Sequence, residues 1–164
     1  MTAVDLRLEI AQQIENMPDS EQILMRVLNY LRRLKGNDGE SISLSGDALR
    51  LWNRTEELRD LPQSWDGVGA MPVEKKVVVN MQKLIKQGIS ADFQNWVLFP
   101  DDAGTLLLQS RDGKASISIG TNTYSYVYDK KGQIDSGDKV RFSPSSVLNV
   151  IRQINIYNGE NRRA

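Results

Sequence analysis

The chain opens with two stretches in which apolar residues recur every three or four positions. The first runs from Leu6 to Ile14 and the second from Ile23 to Leu34. This spacing predicts amphipathic helices. Because Pro18 separates the stretches and Gly36 follows the second, the pattern predicts a helical hairpin whose apolar faces meet.

Two more helices are predicted after a polar, glycine-containing linker at residues 36–41. One covers residues 46–60, with Ser45 in position to cap it. The other starts near Pro72, which suits a first helical turn, and ends at Gly88. The residues between these helices predict a loop, since glycine and proline interrupt regular structure.

The apolar period changes to two near residue 96, which predicts short strands. Turn sequences at residues 100–104, 112–113, 120–122 and 130–132 separate them, and a last strand is predicted at 138–142. Ser143 and Pro144 then begin a final helix. We therefore predict an α+β fold with a helical hairpin at residues 1–36. The α+β domain at residues 44–158 has helices packed on a four- or five-stranded antiparallel meander and a C-terminal helix.

Composition narrows the chemistry that this fold can host. The 164 residues contain 21 basic and 21 acidic side chains, no histidine and no cysteine. Histidine and cysteine are the usual groups of catalytic triads and zinc sites. The balanced charge disfavours a nucleic acid or an anionic membrane as the main partner. We predict a protein that is not an enzyme and that uses no cofactor and no metal.

The N-terminal residues lack the uninterrupted apolar run of a secretory signal, because charges occur throughout residues 5–19. No stretch of the chain approaches the length of an apolar membrane span. A cytoplasmic location is predicted.

One loop sequence is unusual: Trp65-Asp66-Gly67-Val68-Gly69-Ala70-Met71-Pro72. In a functional interpretation, Trp65 is an anchor and Asp66 a charged acceptor for a partner. In a structural interpretation, Trp65 fills the core, Asp66 caps the turn, the two glycines adopt left-handed torsions and Pro72 starts a helix. The structural interpretation is favoured.

Three alternating tyrosines, Tyr124, Tyr126 and Tyr128, share one face of a predicted strand. With nearby lysines they would form a stacking surface for single-stranded nucleic acid. The competing interpretation, which we favour, is that helices pack against this face or that it is a half-exposed sheet surface.

The acidic side chains of the turns present weaker candidates. Asp66, Asp101, Asp102 and Asp112 lack the spacing of a calcium loop and are typical of turns. Asp66 and Glu57 could be considered as a pair of carboxylates that catalyses hydrolysis, but nothing in their spacing supports this.

Two segments resemble known bacterial groups. Leu6 to Lys35, split by Met17-Pro18-Asp19-Ser20, resembles the N-terminal helical segment of addiction-module (antitoxin-like) proteins of the Bacteroides group. The second resemblance is to an uncharacterised bacterial family with a Trp-Asp-Gly-x-Gly-Ala signature. It rests on the Leu61-Pro62 pair, on residues 65–72, which we call the tryptophan loop, and on Phe99-Pro100-Asp101-Asp102-Ala103-Gly104.

The resemblance implies a protein that is a neighbour of toxin–antitoxin systems. The chain departs from the second group at Leu106 to Gln109, where related sequences tend to alternate and end in tryptophan. We therefore predict an antitoxin-like protein-interaction module that binds another protein, or itself through the N-terminal helices. The alternative is a nucleic-acid-binding module that uses the tyrosine and lysine side chains.

Overall fold

A computed structural model describes residues 2–16, 23, 24, 27, 28, 31 and 44–163. The chain divides into two compact units, Met1–Gly39 and Glu40–Ala164. This division falls inside the linker that the sequence predicts.

The first unit contains helix α1, Ala3–Glu15. A capping box begins it: the Thr2 hydroxyl accepts the N–H of Asp5, and the Asp5 carboxylate accepts the N–H of Thr2. These two bonds satisfy N–H groups that a helix start leaves open. Residues 23, 24, 27, 28 and 31 of the second predicted stripe are helical. The turn of the predicted hairpin and the linker lie outside the described residues.

The second unit is built on a five-stranded antiparallel sheet. Its strands, in chain order and also in spatial order, are β1 (Trp96–Pro100), β2 (Leu106–Ser110), β3 (Ala115–Ile119), β4 (Thr123–Lys130) and β5 (Gln133–Arg141). The sheet is thus the predicted meander, and its last strand is longer than predicted.

Helices α2 (Gly46–Arg59), α3 (Lys75–Gln87) and α4 (Pro144–Arg163), with a short 3₁₀ helix at Ser90–Phe93, complete this unit. The sheet residues buried with them alternate along β1, β2 and β3, as in Ala115, Ile117 and Ile119 of β3. The core therefore lies between the helices and one face of the sheet. The predicted α+β fold class and the C-terminal helix are confirmed.

The two edge strands are protected in different ways. Arg50 of α2 donates to the carbonyls of Phe93 and Trp96, and Arg54 donates to the carbonyl of Leu98 on β1. On β5, charged side chains and an irregular register near Lys139, whose φ is +49°, interrupt regular pairing. Both devices block edge-to-edge association of sheets.

Two predicted helix starts are wrong in detail. Pro72 does not open α3, because Met71 and Glu74 donate backbone hydrogen bonds to Asp102 and Gly104 and so hold this segment outside the helix. Ser45 precedes α2, but its side chain makes no capping bond. The hydroxyl of Ser90 accepts the N–H of Ala48 instead, at 3.0 Å.

Candidate functional site

The tryptophan loop is closed by its own hydrogen bonds. The Asp66 carboxylate accepts the N–H groups of Val68 and Ala70 at 2.9 and 3.0 Å. These bonds, that to Ala70 first, hold the pKa of Asp66 below its usual range. Gly67 and Gly69 have φ values of +82° and +101°. The predicted cap and both left-handed glycines are confirmed.

Trp65 does not fill the core, and that part of the structural interpretation is wrong. Its ring is half-buried, and its indole N–H donates to the carbonyl of Met71 at 3.1 Å. Trp52 and Trp96 are the tryptophans of the core. Trp65 closes the base of the loop, and the apolar side chains of Val68 at the tip and of Met71 at the base are exposed.

The loop and the β1–β2 turn form one structure. The N–H of Met71 donates to Asp102, the N–H of Glu74 donates to Gly104, and a side chain at Gly104 would meet the carbonyl of Pro72 at 3.0 Å. The two parts of the signature are therefore in contact. Asp102 has a raised pKa because of its hydrogen bond and charge repulsion with Asp101, with a smaller effect of Asp66.

The remaining acidic candidates act in turns. Asp101 accepts the N–H of Ala103, and Asp112 accepts the N–H of Lys114. Glu57 pairs with Arg54 on the surface of α2. Within the described ranges, no three acidic groups are arranged to hold a metal ion.

The tyrosine row faces the helices. Tyr124 and Tyr128 are buried in the core, and Tyr126 is half-buried beside them. The ring of Tyr126 stacks on that of Tyr124 at 6.3 Å between centroids, and Tyr157 of α4 contacts the ring of Tyr128 edge-on at 5.4 Å. The geometry agrees with the competing interpretation, since buried rings offer no platform for bases.

None of the described helices of the second unit packs on the opposite face of the sheet. Its side chains are small or polar, such as Ser116 and Ser118, with scattered apolar residues such as Phe99 and Val127. This face and the tip of the tryptophan loop both expose apolar side chains of the second unit next to polar ones. Other exposed apolar side chains lie elsewhere on the same unit, among them Val79, Ile89 and Ile156.

A polar stripe on α3 was not identified from the sequence. Lys76, Asn80 and Lys83 follow the i, i+4, i+7 spacing of one helix face and lie at the β3–β4 turn. Asn80 is buried and donates to the carbonyls of Gly120 and Thr121, both at 2.9 Å.

Comparison of the chain with family models, with curated proteins and with solved structures finds no match. Among the described helices, none combines the length and the apolar character that crossing a bilayer requires.

Proposed function

We propose that this chain is a non-enzymatic protein-interaction module that associates with a second copy through its N-terminal helices. The observation that carries the proposal is the surface of α1. This helix of 13 residues buries none of them. Its large apolar side chains are nonetheless numerous, and four are exposed: Val4, Leu6, Leu8 and Ile10.

These side chains occupy two faces of α1. At 100° per residue, Val4 and Leu8 lie together, whereas Leu6 and Ile10 lie roughly 160° away around the axis. One neighbouring helix covers only one such face. The second predicted helix also leaves Leu24, Leu28 and Leu31 exposed. A second copy that supplies the same helices covers both sets, as in a helical bundle.

Light scattering on the full chain tests self-association. We expect a dimer or a larger species, and we expect Ile10→Glu to shift it toward the monomer because a carboxylate would enter the apolar interface. Asn16→Asp adds the same charge at an exposed position next to the end of this helix, roughly 80° or more around the axis from each of the four exposed apolar side chains of α1, and is the matched control. A full chain that is monomeric at high concentration would contradict the proposal.

Removal of residues 1–35 gives a second test. The remaining chain keeps the sheet and the helices α2 to α4 and is expected to be monomeric. If the shortened chain forms the same oligomer as the full chain, the second unit is responsible for the association.

We further propose that the second unit presents the tryptophan loop to a protein partner, as an antitoxin-like protein that neutralises a toxin. The support is the exposed tip, where Val68 is 86% exposed on a loop fixed by hydrogen bonds. A preorganised loop loses little conformational entropy on binding. The open sheet face is the competing surface on the same unit.

Co-expression with the product of the adjacent reading frame tests neutralisation. We expect that product to arrest growth alone and to be harmless with this protein. Val68→Asp should abolish protection, whereas Val127→Asp on the sheet face should preserve it. Loss of protection with Val127→Asp alone would assign the partner to the sheet, and the absence of growth arrest would refute the antitoxin role.

A further inference from the structure

A cationic cleft of about 620 Å³ lies where α3, the β3–β4 turn and the start of α4 converge. Three of the residues that line it are basic: Lys76 and Lys83 from α3 and Arg141 from the end of β5. The other lining residues are Asn80, Thr121, Asn122, Thr123, Phe142, Ser143 and Pro144. The cleft lining thus contains three cations and no carboxylate.

These cations are not neutralised by any of the described neighbours. Across the described parts of the chain, no carboxylate lies within ion-pairing distance of Lys76, Lys83 or Arg141. Some other described basic residues do pair with carboxylates, as Arg152 does with Asp92. Like charges that gather in a concave surface raise the local potential, because the protein walls focus the field. Such a site favours a multiply charged anion.

The walls of the cleft are held in place. Asn80 fixes the β3–β4 turn from the helix side through the carbonyls of Gly120 and Thr121. From the strand side, the N–H of Phe142 donates to the carbonyl of Asn122 at 2.9 Å. The Lys76 ammonium donates to the side chain of Asn122. The cleft is therefore formed before any ligand arrives.

The N-terminus of α4 adds little hydrogen bonding to the cleft. Pro144 has no N–H, and Ser143 already accepts the N–H groups of Ser146 and Val147. The helix contributes its dipole, whose positive end is here. Recognition would depend on the three basic side chains and on the hydroxyl and amide groups between them.

We propose that this cleft binds the phosphate groups of a small molecule, such as a nucleotide. Its volume lies within the range of small-molecule sites. Lysine and arginine are the side chains that bind phosphate most strongly, and Arg141 provides bidentate geometry. Phe142 and Pro144 at the rim offer apolar surface to an attached group. The zero net charge of the chain disfavours a long polyanion as the ligand.

Calorimetric titration of the full chain at low salt tests the proposal, with pyrophosphate and ADP as probes. We expect pyrophosphate to bind with a Kd below about 1 mM and Lys83→Gln to weaken it about tenfold or more, since one charge-assisted contact is lost. Lys114→Gln is the matched control, because Lys114 lies in the β2–β3 turn at the other end of the sheet.

The probes separate the possible sources of the phosphate. ADP that binds more tightly than pyrophosphate indicates that the attached nucleoside is recognised, and equal affinities indicate recognition of the phosphates alone; both support the proposal. Equal weakening by Lys83→Gln and Lys114→Gln would overturn it, as would no binding of either probe. Binding of a single-stranded oligonucleotide without binding of pyrophosphate would also overturn it and assign the cleft to nucleic acid.

Discussion

Helices α1 and α3 have the same length and opposite surroundings. Each has 13 residues with apolar side chains at helical spacing. α3 buries six of its residues, five of them apolar, against the sheet and its neighbours, whereas α1 buries none of its residues. An apolar stripe therefore shows that a helix needs a partner surface but does not show whether that surface belongs to the same chain.

The two helices are also stabilised by different forces. α1 begins with the Thr2–Asp5 capping box, which is a local interaction. α3 begins at Lys75, and the side chain of the preceding Glu74 makes no capping bond, so the helix depends on packing of residues such as Met81 and Leu84. Short helices are marginal in water unless packing or caps support them. The helix with no buried residue, α1, is thus the one whose start is fixed by a local capping interaction.

Truncation of one leucine in each helix should give the largest difference. Leu84→Ala removes a side chain with no exposure and should lower the free energy of unfolding by about 2–5 kcal/mol. Leu8→Ala, at a position 60% exposed, should change it by less than about 0.5 kcal/mol in dilute solution.

Denaturant titration followed by far-ultraviolet circular dichroism measures both effects, because this signal reports the helices of both units. Tryptophan fluorescence recorded beside it isolates the unfolding of α3 and its sheet, since all three tryptophans belong to the second unit. If Leu8→Ala costs as much as Leu84→Ala, the contrast between the helices is refuted. A cost for Leu8→Ala that appears only at high protein concentration would support self-association through α1.

The elements packed near α3 also contain an ion pair, and breaking it should have a smaller effect on stability. Arg152 of α4 donates two hydrogen bonds of 3.0 Å to Asp92, which follows α3 in the 3₁₀ helix. Burial acts to raise the pKa of Asp92, but the bonds from Arg152 and from the N–H of Ile89 outweigh it and lower the pKa. We expect Arg152→Met to lower the free energy of unfolding at neutral pH by less than Leu84→Ala does, since Arg152 remains partly exposed and water screens the pair.

The pH dependence of this cost follows from the sign of the shift. A lowered pKa in the folded state stabilises the fold above the ordinary carboxyl value of 3.8 and ceases to do so as the pH falls through the folded value. The difference between wild type and Arg152→Met should therefore be constant near neutrality and shrink in acid. A difference that persists undiminished below the folded pKa would show that Arg152 acts through packing.

The periodicity of the chain was sufficient to predict the element order but not the contacts between distant residues. The start of α2 illustrates this, because its cap comes from Ser90, 42 residues beyond the N–H that it accepts. Pro72 has the local character of a helix start, yet hydrogen bonds to the β1–β2 turn place it in the preceding loop. Local preferences yield to such tertiary contacts.

The candidate sites show the same limit. Alternation placed Tyr124, Tyr126 and Tyr128 on one face but did not reveal which face the helices cover. The spacing of Lys76 and Lys83 is visible in the sequence, but their convergence with Arg141 depends on where β5 ends relative to α3. Conversely, the Asp66 cap was predictable because it joins residues only two and four positions apart.

The capping difference between the helices predicts a local effect. Thr2→Ala removes the hydroxyl that accepts the N–H of Asp5, and loss of such a cap costs about 1 kcal/mol of helix stability. Faster hydrogen exchange in α1 should result, measured by mass spectrometry of peptides. Glu74→Ala should leave exchange in α3 unchanged, because no side-chain cap is lost there. Equal acceleration of exchange in both helices would contradict the conclusion that α1 depends on its capping box and α3 on tertiary packing.

The smallest effect on the free energy of unfolding should come from removing one buried polar group of the core, the hydroxyl of Tyr128. The buried hydroxyl of Tyr128 has no hydrogen-bond partner in the part of the chain that is described, and burial, with smaller effects of Tyr157 and nearby aspartates, raises its pKa to about 12. Tyr128→Phe should change stability by less than about 0.5 kcal/mol, or increase it slightly, because no bond is lost and no polar atom remains buried. Tyr124→Phe is the matched comparison, since the Tyr124 hydroxyl lies 2.5 Å from that of Ser146, and it should cost about 1 kcal/mol. Denaturant titration of both variants measures the difference, and a larger loss for Tyr128→Phe would show that its hydroxyl does have a partner in solution.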